Sequence, residues 1–382
     1  MQMPITMSRR HFVKLLGAGG LLAQAGLACS ADENPQSALI AAAWRGPNPG
    51  DTYYAGVLAA DWVRKKLEIR HAVALPTRPH GLYPEADGSL LVVGVRPGAW
   101  LMRIDAAGAV SRQINLEDEA SSARLNGHVI PSLKGDQLYT TETDFKTGRG
   151  RIGVRDRVTL GKLAEWETHG LEPHQLLLDG DGNLMVANGG IPRTLGDKKY
   201  DLHRMDSSLV RLDGSSGKLL RRWKLDDPRL SMRHLAWSHT RSGEAYLGVA
   251  MQAEHEDSAQ RANAPILAVL DGDSLIAPAR SGDGAGYAGD IAAAYNGGFA
   301  LSSNQAGLAQ LWHPGAPDKM VPIVELQEAY ALTEWKGPQP GGGVLLATGL
   351  GLVRWHPTAK ASFLAWPKPM ALDNHWALIS EV

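Results

Sequence analysis

The hydrophobic pattern from residue 38 onward is a succession of short apolar runs separated by glycine-rich turns. The runs "SLLVVGV" (89–95) and "AWLMRID" (99–105), for example, lie between the turns "DGS" (87–89) and "AAG" (106–108). Short, mostly continuous apolar runs are typical of strands that pack between neighbouring sheets. The pattern therefore predicts an all-β protein made of many short strands.

The same order recurs along the chain: a short polar segment, called the entry, then a strand, a turn and three further strands. The units can be aligned on seven anchor positions: His80, His128, His174, His234, Asp290, Tyr330 and His375. Intervals of 40 to 60 residues between successive anchors fit the four-stranded blades of a β-propeller. The repeat predicts seven blades, each with its inner strand beginning at an anchor, and counts of six or eight blades are the alternatives.

The two ends of the repeat complement each other. The inner strand that begins at His375 has no partners downstream, whereas "ALIAAAWRG", "YYAGVLAAD" and "KLEIRHAVAL" precede the first anchor without an inner strand. We expect these four strands to form one blade, because such a closure removes open sheet edges. The fold prediction is a seven-bladed β-propeller with N/C-terminal strand closure of one blade, and residues 38–382 form a single domain.

Charge and motifs exclude several functional classes. The 39 basic and 40 acidic residues are balanced, so no nucleic-acid partner is expected. The sequence has no nucleophile elbow, phosphate-binding loop, haem-attachment motif or paired-cysteine metal site. The candidate chemistry is therefore concentrated in the anchors.

Five of the seven anchors are histidine, and a sixth is aspartate. In a propeller, the inner strands begin near the central axis on one face. Imidazole and carboxylate groups brought together there suit a transition metal such as iron, copper or zinc. The predicted ligands, for iron or copper, are His80, His128, His174, His234, His375 and Asp290. The alternative is that each histidine only hydrogen-bonds the backbone of a neighbouring blade.

A second set of residues is expected around the same face, where the second strand of each blade connects to the third. Two of these connections, "ANGGIPRTLGDKKYDLHRMDSSL" and "MQAEHEDSAQRANAPI", are long enough to build the walls of a pocket. For "EHED" (254–257), a solvated charged loop is the alternative. The predicted pocket residues are Tyr330, Arg96, Glu142, Asp144, Asn188, Arg193, Glu254, His255 and Asn304.

The N-terminus resembles a twin-arginine export signal over residues 1–28. "SRRHFVK" (8–14) contains Arg9 and Arg10 and precedes the short apolar run "LLGAGGLLAQAGLA" (15–28). This resemblance implies folding before export and a destination in the periplasm or outside the cell.

The single cysteine, Cys29, follows the apolar run and begins a polar tether (29–37). Its surroundings resemble a lipobox, although Gly26 stands where that motif prefers leucine. Cleavage after "AQA" (23–25) would instead release a soluble protein. Both outcomes stay open, and lipidation of Cys29 is the only expected link to a membrane.

The twin-arginine start, the "RPHG" entry (78–81) and the unit "EPHQLLLDGDGNLMVANGGI" (172–191) together resemble a family of exported seven-bladed propellers of unknown function. Its members typically accompany imelysin-type, iron-regulated proteins and a dihaem-peroxidase-like partner in proteobacteria. The resemblance implies a periplasmic role in acquiring iron or another metal, with these proteins as partners. The axial histidines also resemble those of nitrous oxide reductase and copper-dependent methanethiol oxidase, an analogy of fold alone.

Three functional hypotheses follow, and whether the protein is an enzyme stays open among them. The first is a protein that binds a metal ion or metal complex at the histidine-lined face. The second is a copper- or iron-dependent oxidoreductase that uses the same ring. The third is a metal-free scaffold for protein interactions.

Overall fold

The computed structural model describes residues 37–119, 121–278, 284–325, 328–335 and 343–379. These residues form seven four-stranded antiparallel sheets, which are the blades of a seven-bladed β-propeller. The predicted fold class is confirmed. The proposed export signal, Cys29 and most of the polar tether lie outside the described residues.

The blades are numbered by the order of their inner strands. The chain begins with the three outer strands of blade 7: β1 (Ser37–Arg45), β2 (Tyr53–Asp61) and β3 (Lys66–Ala74). Blade 1 contains β4 (Pro79–Pro84), β5 (Leu90–Gly94), β6 (Trp100–Ile104) and β7 (Val110–Asn115). Blade 2 contains β8 (Ala123–Pro131), β9 (Gln137–Asp144), β10 (Gly150–Asp156) and β11 (Lys162–Glu167). Blade 3 contains β12 (Pro173–Leu178), β13 (Leu184–Asn188), β14 (Ser208–Leu212) and β15 (Leu219–Trp223).

The second half of the ring repeats this arrangement. Blade 4 contains β16 (Leu230–His239), β17 (Ala245–Ala253), β18 (Leu267–Asp271) and β19 (Ser274–Ile276). Blade 5 contains β20 (Asp290–Ala293), β21 (Phe299–Ser303), β22 (Leu308–Trp312) and β23 (Met320–Glu325). Blade 6 contains β24 (Leu332–Trp335), β25 (Gly343–Ala347), β26 (Gly351–His356) and β27 (Ala359–Ala365). The inner strand of blade 7 is β28 (Ala371–Ile379).

Helices are few and short in the described part of the chain. There is one α-helix (Ser258–Ala262), and 3₁₀ turns occur at Leu116–Asp118, Leu202–Arg204 and Tyr295–Gly297. None of these helices has the length and apolar character that a membrane crossing requires.

Closure of the ring follows the predicted scheme. The C-terminal strand β28 pairs antiparallel with β1, from Leu39 opposite Ile379 to Arg45 opposite Ala371. Blade 7 is therefore built from both ends of the described chain. A bidentate ion pair reinforces the junction with blade 1, because Arg78 donates to both carboxylate oxygens of Asp373 at 2.8 Å.

The hydrophobic core lies between adjacent blades. Strand β5 shows why, since all of its residues are buried and successive side chains point to opposite faces. Leu90 and Val92 pack towards blade 7, whereas Leu91 and Val93 pack towards blade 2. The apolar side chains thus pack between blades. The polar residues near the start of each inner strand are left to line the central axis.

Candidate metal centre

The five anchor histidines converge in the middle of the ring. Their ring centroids are 4.3 to 6.0 Å apart between contacting rings, with predominantly edge-on or tilted geometry. All five side chains are buried, and none exposes more than 8% of its surface. Residues up to 295 positions apart in sequence therefore form one compact histidine cluster, defined by His80, His128, His174, His234 and His375.

Each of these histidines lies in an irregularity of its inner strand. In blade 1 the register between β4 and β5 shifts between Pro79 and Leu82, on either side of His80. Equivalent shifts enclose the histidines of blades 2, 3, 4 and 7. The inner strands of blades 5 and 6 pair with their neighbours without a shift. Because a β-bulge re-aims a side chain, these irregularities account for the five imidazoles turning towards one another.

The bulges also correct one expectation from the sequence. Strands β8, β16 and β28 begin at Ala123, Leu230 and Ala371, several residues before their histidines. Those anchors are therefore not the first residues of their strands. The sequence pattern placed the boundary too late, because a bulge lets a strand pair on both sides of its irregular residues.

Four histidines of the cluster are close enough together that they could hold a metal ion. His80, His128, His234 and His375 each offer a ring nitrogen, and these four atoms lie within 4.8 Å of one another. Metal–imidazole bonds of about 2.0–2.1 Å place the ligand nitrogens of one ion roughly 3–4 Å apart. A small contraction of the cluster therefore completes a site, and an all-imidazole donor set suits copper, iron, zinc or nickel.

Unpartnered nitrogens support the same interpretation. Within the described residues, Nδ1 of His80, Nε2 of His128, Nδ1 of His234 and Nε2 of His375 are buried without a hydrogen-bond partner. Buried polar atoms are normally paired, because an unpaired group loses its hydration without compensation. All four histidines of this group therefore have a ring nitrogen that the described part of the protein leaves unsatisfied.

The protonation states also favour coordination. Burial lowers the pKa of His80, His128, His174 and His234 well below the ordinary value, and neighbouring imidazoles or arginines lower it further. These side chains are therefore neutral at pH 7. A neutral imidazole has the free lone pair that a metal ion requires.

The predicted ligand Asp290 lies at the edge of the cluster. Its Oδ1 accepts from the backbone N–H of Ile291 at 2.9 Å, and its Oδ2 accepts from that of Leu332 at 2.8 Å. Oδ1 is also 3.4 Å from Nδ1 of His375. A carboxylate in this position holds the ring of a metal-binding histidine in place, so Asp290 supports His375 in this geometry.

His174 has a different environment from the other four histidines. Its Nδ1 is 3.1 Å from an Nη atom of Arg96, and its Nε2 is 2.9 Å from Nε2 of His234. A guanidinium only donates hydrogen bonds, so Nδ1 of His174 accepts and the neutral ring carries its proton on Nε2. His174 therefore directs an N–H group into the cluster.

A buried group of charges surrounds Arg96. Oε1 of Glu172 accepts from Arg193 at 2.5 Å and from Arg233 at 2.7 Å, and it is 3.5 Å from Arg96. Burial of Glu172 opposes ionisation, but the charges of Arg233, Arg96 and Arg193 overcome it and lower its pKa to about 2. Glu172 and Arg233 were not among the predicted site residues. The sequence feature that could have identified them is their position, since Glu172 stands two residues before His174 and Arg233 directly precedes His234.

The other predicted pocket residues are distributed over several environments. Glu142 is buried within blade 2, where it accepts from Arg155 at 2.7 Å and Lys162 at 2.6 Å. Asp144, the last residue of β9, accepts from the hydroxyls of Ser122 and Thr147.

Blades 3 to 6 hold the remaining members of that set. Asn188 donates to the backbone oxygen of Thr168. Glu254 binds Lys199 at 2.6 Å, and His255 lies 2.9 Å from Asp227.

Asn304 follows β21 and has a buried Oδ1 without a partner among the described residues. Tyr330 packs against the apolar residues between blades 6 and 7. Of the predicted pocket residues, Arg96 contacts the histidine cluster, and Arg193 is connected to Arg96 through Glu172 and Asp197.

Comparisons with known proteins identify the fold and a family without an assigned activity. The family model described as "Protein of unknown function (DUF1513)" matches residues 73–379. No curated protein has a significantly similar sequence. The chain is similar in structure to hydrazine synthase of Kuenenia stuttgartiensis, with a TM-score of 0.55, 14% identity, and coverage of 85% of this chain and 94% of that one.

A streptogramin B lyase structure is similar at a TM-score of 0.50 and 12% identity, over 85% of this chain and 94% of that one. At these identities the similarity shows a shared propeller fold and carries no information on activity.

Proposed function

Because its match spans most of the chain, the protein belongs to the DUF1513 family, and we propose that it binds a transition-metal ion at the histidine cluster. The observation that carries this proposal is the group of four buried histidines whose ring nitrogens lie within 4.8 Å of one another. His80, His128, His234 and His375 are the proposed ligands. Asp290 supports His375, and His174 contributes an N–H group to the same space.

The proposed role is the acquisition or handling of iron or another metal outside the cytoplasm. Copper is the other candidate metal, since imidazole ligands serve both. The support for the location is the resemblance of residues 1–28 to an export signal, with lipidation of Cys29 as the proposed anchor. The support for imelysin-type and dihaem-peroxidase-like partners is the family resemblance of the sequence.

A metal-dependent oxidoreductase is the second candidate. Four imidazoles leave coordination positions open on an ion that prefers five or six ligands. The Nε2–H of His174 is directed at Nε2 of one proposed ligand, His234, so it places a proton donor beside the proposed ion. Reversible oxidation and reduction of the copper- or iron-loaded protein, together with oxygen consumption, supports this candidate, whereas a redox-silent ion excludes it.

The proposed function is tested by metal content and metal uptake. Protein purified from its native compartment is expected to contain about one transition-metal ion per chain, and metal-free protein is expected to bind Cu²⁺ or Zn²⁺ with that stoichiometry. Replacing His80, His234 and His375 together by Asn should abolish uptake. His239→Asn is the matched control, because this exposed histidine ends the same strand, β16, that carries His234. Absence of metal and of uptake by the unaltered protein contradicts the proposal.

A further inference from the structure

A metal ion at the histidine cluster would carry a charge that its ligands do not balance. The four proposed ligands are buried histidines, and an imidazole that coordinates through its lone pair brings no negative charge, so the ligands would leave the double charge of a divalent ion in place. The carboxylate of Asp290, 3.4 Å from His375, would offset part of this charge, whereas that of Glu172 is already paired with arginines. The remaining positive charge would have to be compensated by a further negative group near the ion.

The surroundings of the cluster are positive before any metal binds. Arg96, Arg193 and Arg233 converge on two acids, the buried Glu172 and the partly exposed Asp197. Nε and Nη2 of the fully buried Arg233 have no hydrogen-bond partner among the described residues. Burial and the neighbouring arginines lower the pKa of Arg96 to about 10, although Glu172 and Asp197 oppose this shift. Around Glu172, three arginines thus face two acids, which leaves a local excess of positive charge.

A cavity is present where this charge is concentrated. It has a volume of about 80 Å³, and its wall includes Arg96, Arg193, Glu172, Asn126 and Tyr200. Arg96 lines the cavity and also donates to Nδ1 of His174, so it separates the cavity from the histidine cluster. A space of this size holds roughly five water-sized groups, which is enough for an anion of a few heavy atoms.

We propose that this cavity binds a small planar oxyanion, a carboxylate or bicarbonate, together with the metal ion. The inference rests on the proposed metal site and adds a second ligand to it. Guanidinium groups match the oxygens of such an anion in a planar, forked geometry. The anion compensates for the charge of the ion and of the arginines, so each of the two ligands strengthens the binding of the other. By linkage, the two affinities rise by the same factor.

The test is a calorimetric titration of metal-free protein with Zn²⁺ in the presence of different anions. Perchlorate, which binds guanidinium and metal weakly, is the reference, and formate, acetate and bicarbonate are the three oxyanion arms. We expect zinc to bind about tenfold more tightly with at least one oxyanion than with perchlorate. The arm with the largest effect distinguishes a carboxylate from bicarbonate.

Arginine variants assign this effect to the cavity. Arg96→Gln and Arg193→Gln should bind zinc with the same affinity in all anions, since they remove the oxyanion donors. Arg211→Gln is the control, because Arg211 pairs with Asp179 and Asp181 in the turn of blade 3 and does not line the cavity. It should keep the full dependence on the oxyanion.

The outcomes separate this inference from the proposed function. If unaltered protein binds zinc equally tightly in every anion, the oxyanion site is rejected and the metal site stands. If zinc does not bind in any anion, the metal site itself is rejected. Loss of the anion effect in Arg211→Gln would also overturn the assignment to the cavity. The comparison on unaltered protein remains decisive even if an arginine variant does not fold.

Discussion

At the residue scale, the main feature is a set of histidines that cannot be protonated easily. Four imidazoles are buried and face other imidazoles, so burial and neighbouring charge disfavour a proton on them: His80, His128, His174 and His234. Arg96 adds a fixed positive charge against His174. These four rings are therefore neutral at pH 7, and this neutrality lowers the stability of the fold at low pH.

We expect metal-free protein to lose stability steeply below about pH 6.5. The pKa values of His80, His128, His174 and His234 are lower in the folded state than in the unfolded chain, so below the unfolded value the unfolded chain binds more protons. Below pH 6.5, each such histidine lowers the free energy of unfolding by up to about 1.4 kcal/mol for every unit by which the pH falls. Above pH 6.5 the free energy of unfolding no longer depends on these groups. Urea unfolding measured from pH 5 to 8 tests this.

A double variant identifies the groups responsible for that dependence. His80→Gln with His234→Gln removes two of the four titrating rings, so the decrease in the free energy of unfolding per pH unit should be about half as steep. An unchanged slope in the double variant would show that other groups cause the dependence. His239→Gln, which alters an exposed ring, is the control.

At the element scale, the bulges of the inner strands bring the histidines that recur along the sequence together at one site. The strands of blades 1, 2, 3, 4 and 7 carry the irregularities, and those of blades 5 and 6, with Asp290 and Tyr330 as anchors, do not. Glycine assists in blade 2, where Gly127 has a φ of +106° and lies directly against His80. The absence of a side chain there lets two inner strands approach.

Gly127→Ala should therefore disturb both stability and the histidine cluster. An added Cβ would lie 2.4 Å from Cδ2 of His80, and the backbone conformation is also unfavourable for alanine. We expect the free energy of unfolding to fall by about 3 kcal/mol and metal binding to weaken. Gly243→Ala is the matched control, since it has φ of +93° and nothing within 4 Å of the added Cβ. Its cost should be about 1 kcal/mol. Equal costs at both positions would contradict the packing argument.

The sequence predicts the elements better than it predicts their irregularities. Apolar runs such as that of β5 repeat with the blade, so the blade count and the closure by β28 could be predicted and are confirmed. A bulge depends on which residues pair across two strands, and this is not visible in a single strand's pattern. The convergence of Glu172 and Arg233 was missed for a related reason. A charged residue beside an entry is usually solvated, and only the packing of blades 3 and 4 brings these two together.

At the scale of the whole molecule, stability depends on closing the ring between blades 7 and 1. The closure combines the pairing of β1 with β28 and the bidentate pair of Arg78 with Asp373. The Asp373 carboxylate is almost fully buried, whereas the Arg78 side chain is 41% exposed. Removing the acid leaves the arginine access to water, so the expected loss is smaller than for a fully buried pair.

Asp373→Asn should lower the free energy of unfolding by about 2 kcal/mol. The reason is that a neutral amide replaces two charge-assisted hydrogen bonds with a weaker, differently shaped contact. Asp181→Asn, in a surface pair with Arg211, should cost less than about 0.5 kcal/mol. Urea unfolding of Arg78→Gln, Asp373→Asn and the double variant gives the coupling energy, and a coupling near zero would show that the pair does not stabilise the closure.

The closure also sets the order in which the cluster becomes available during synthesis. His80, His128 and His234 are made early, but His375 lies on the strand that completes blade 7 and comes last among the described strands. A nascent or truncated chain that lacks β28 holds at most three of the four proposed ligands and has no closed ring around them. If the cluster binds an ion, tight retention of that ion would then depend on the pairing of β28 with β1.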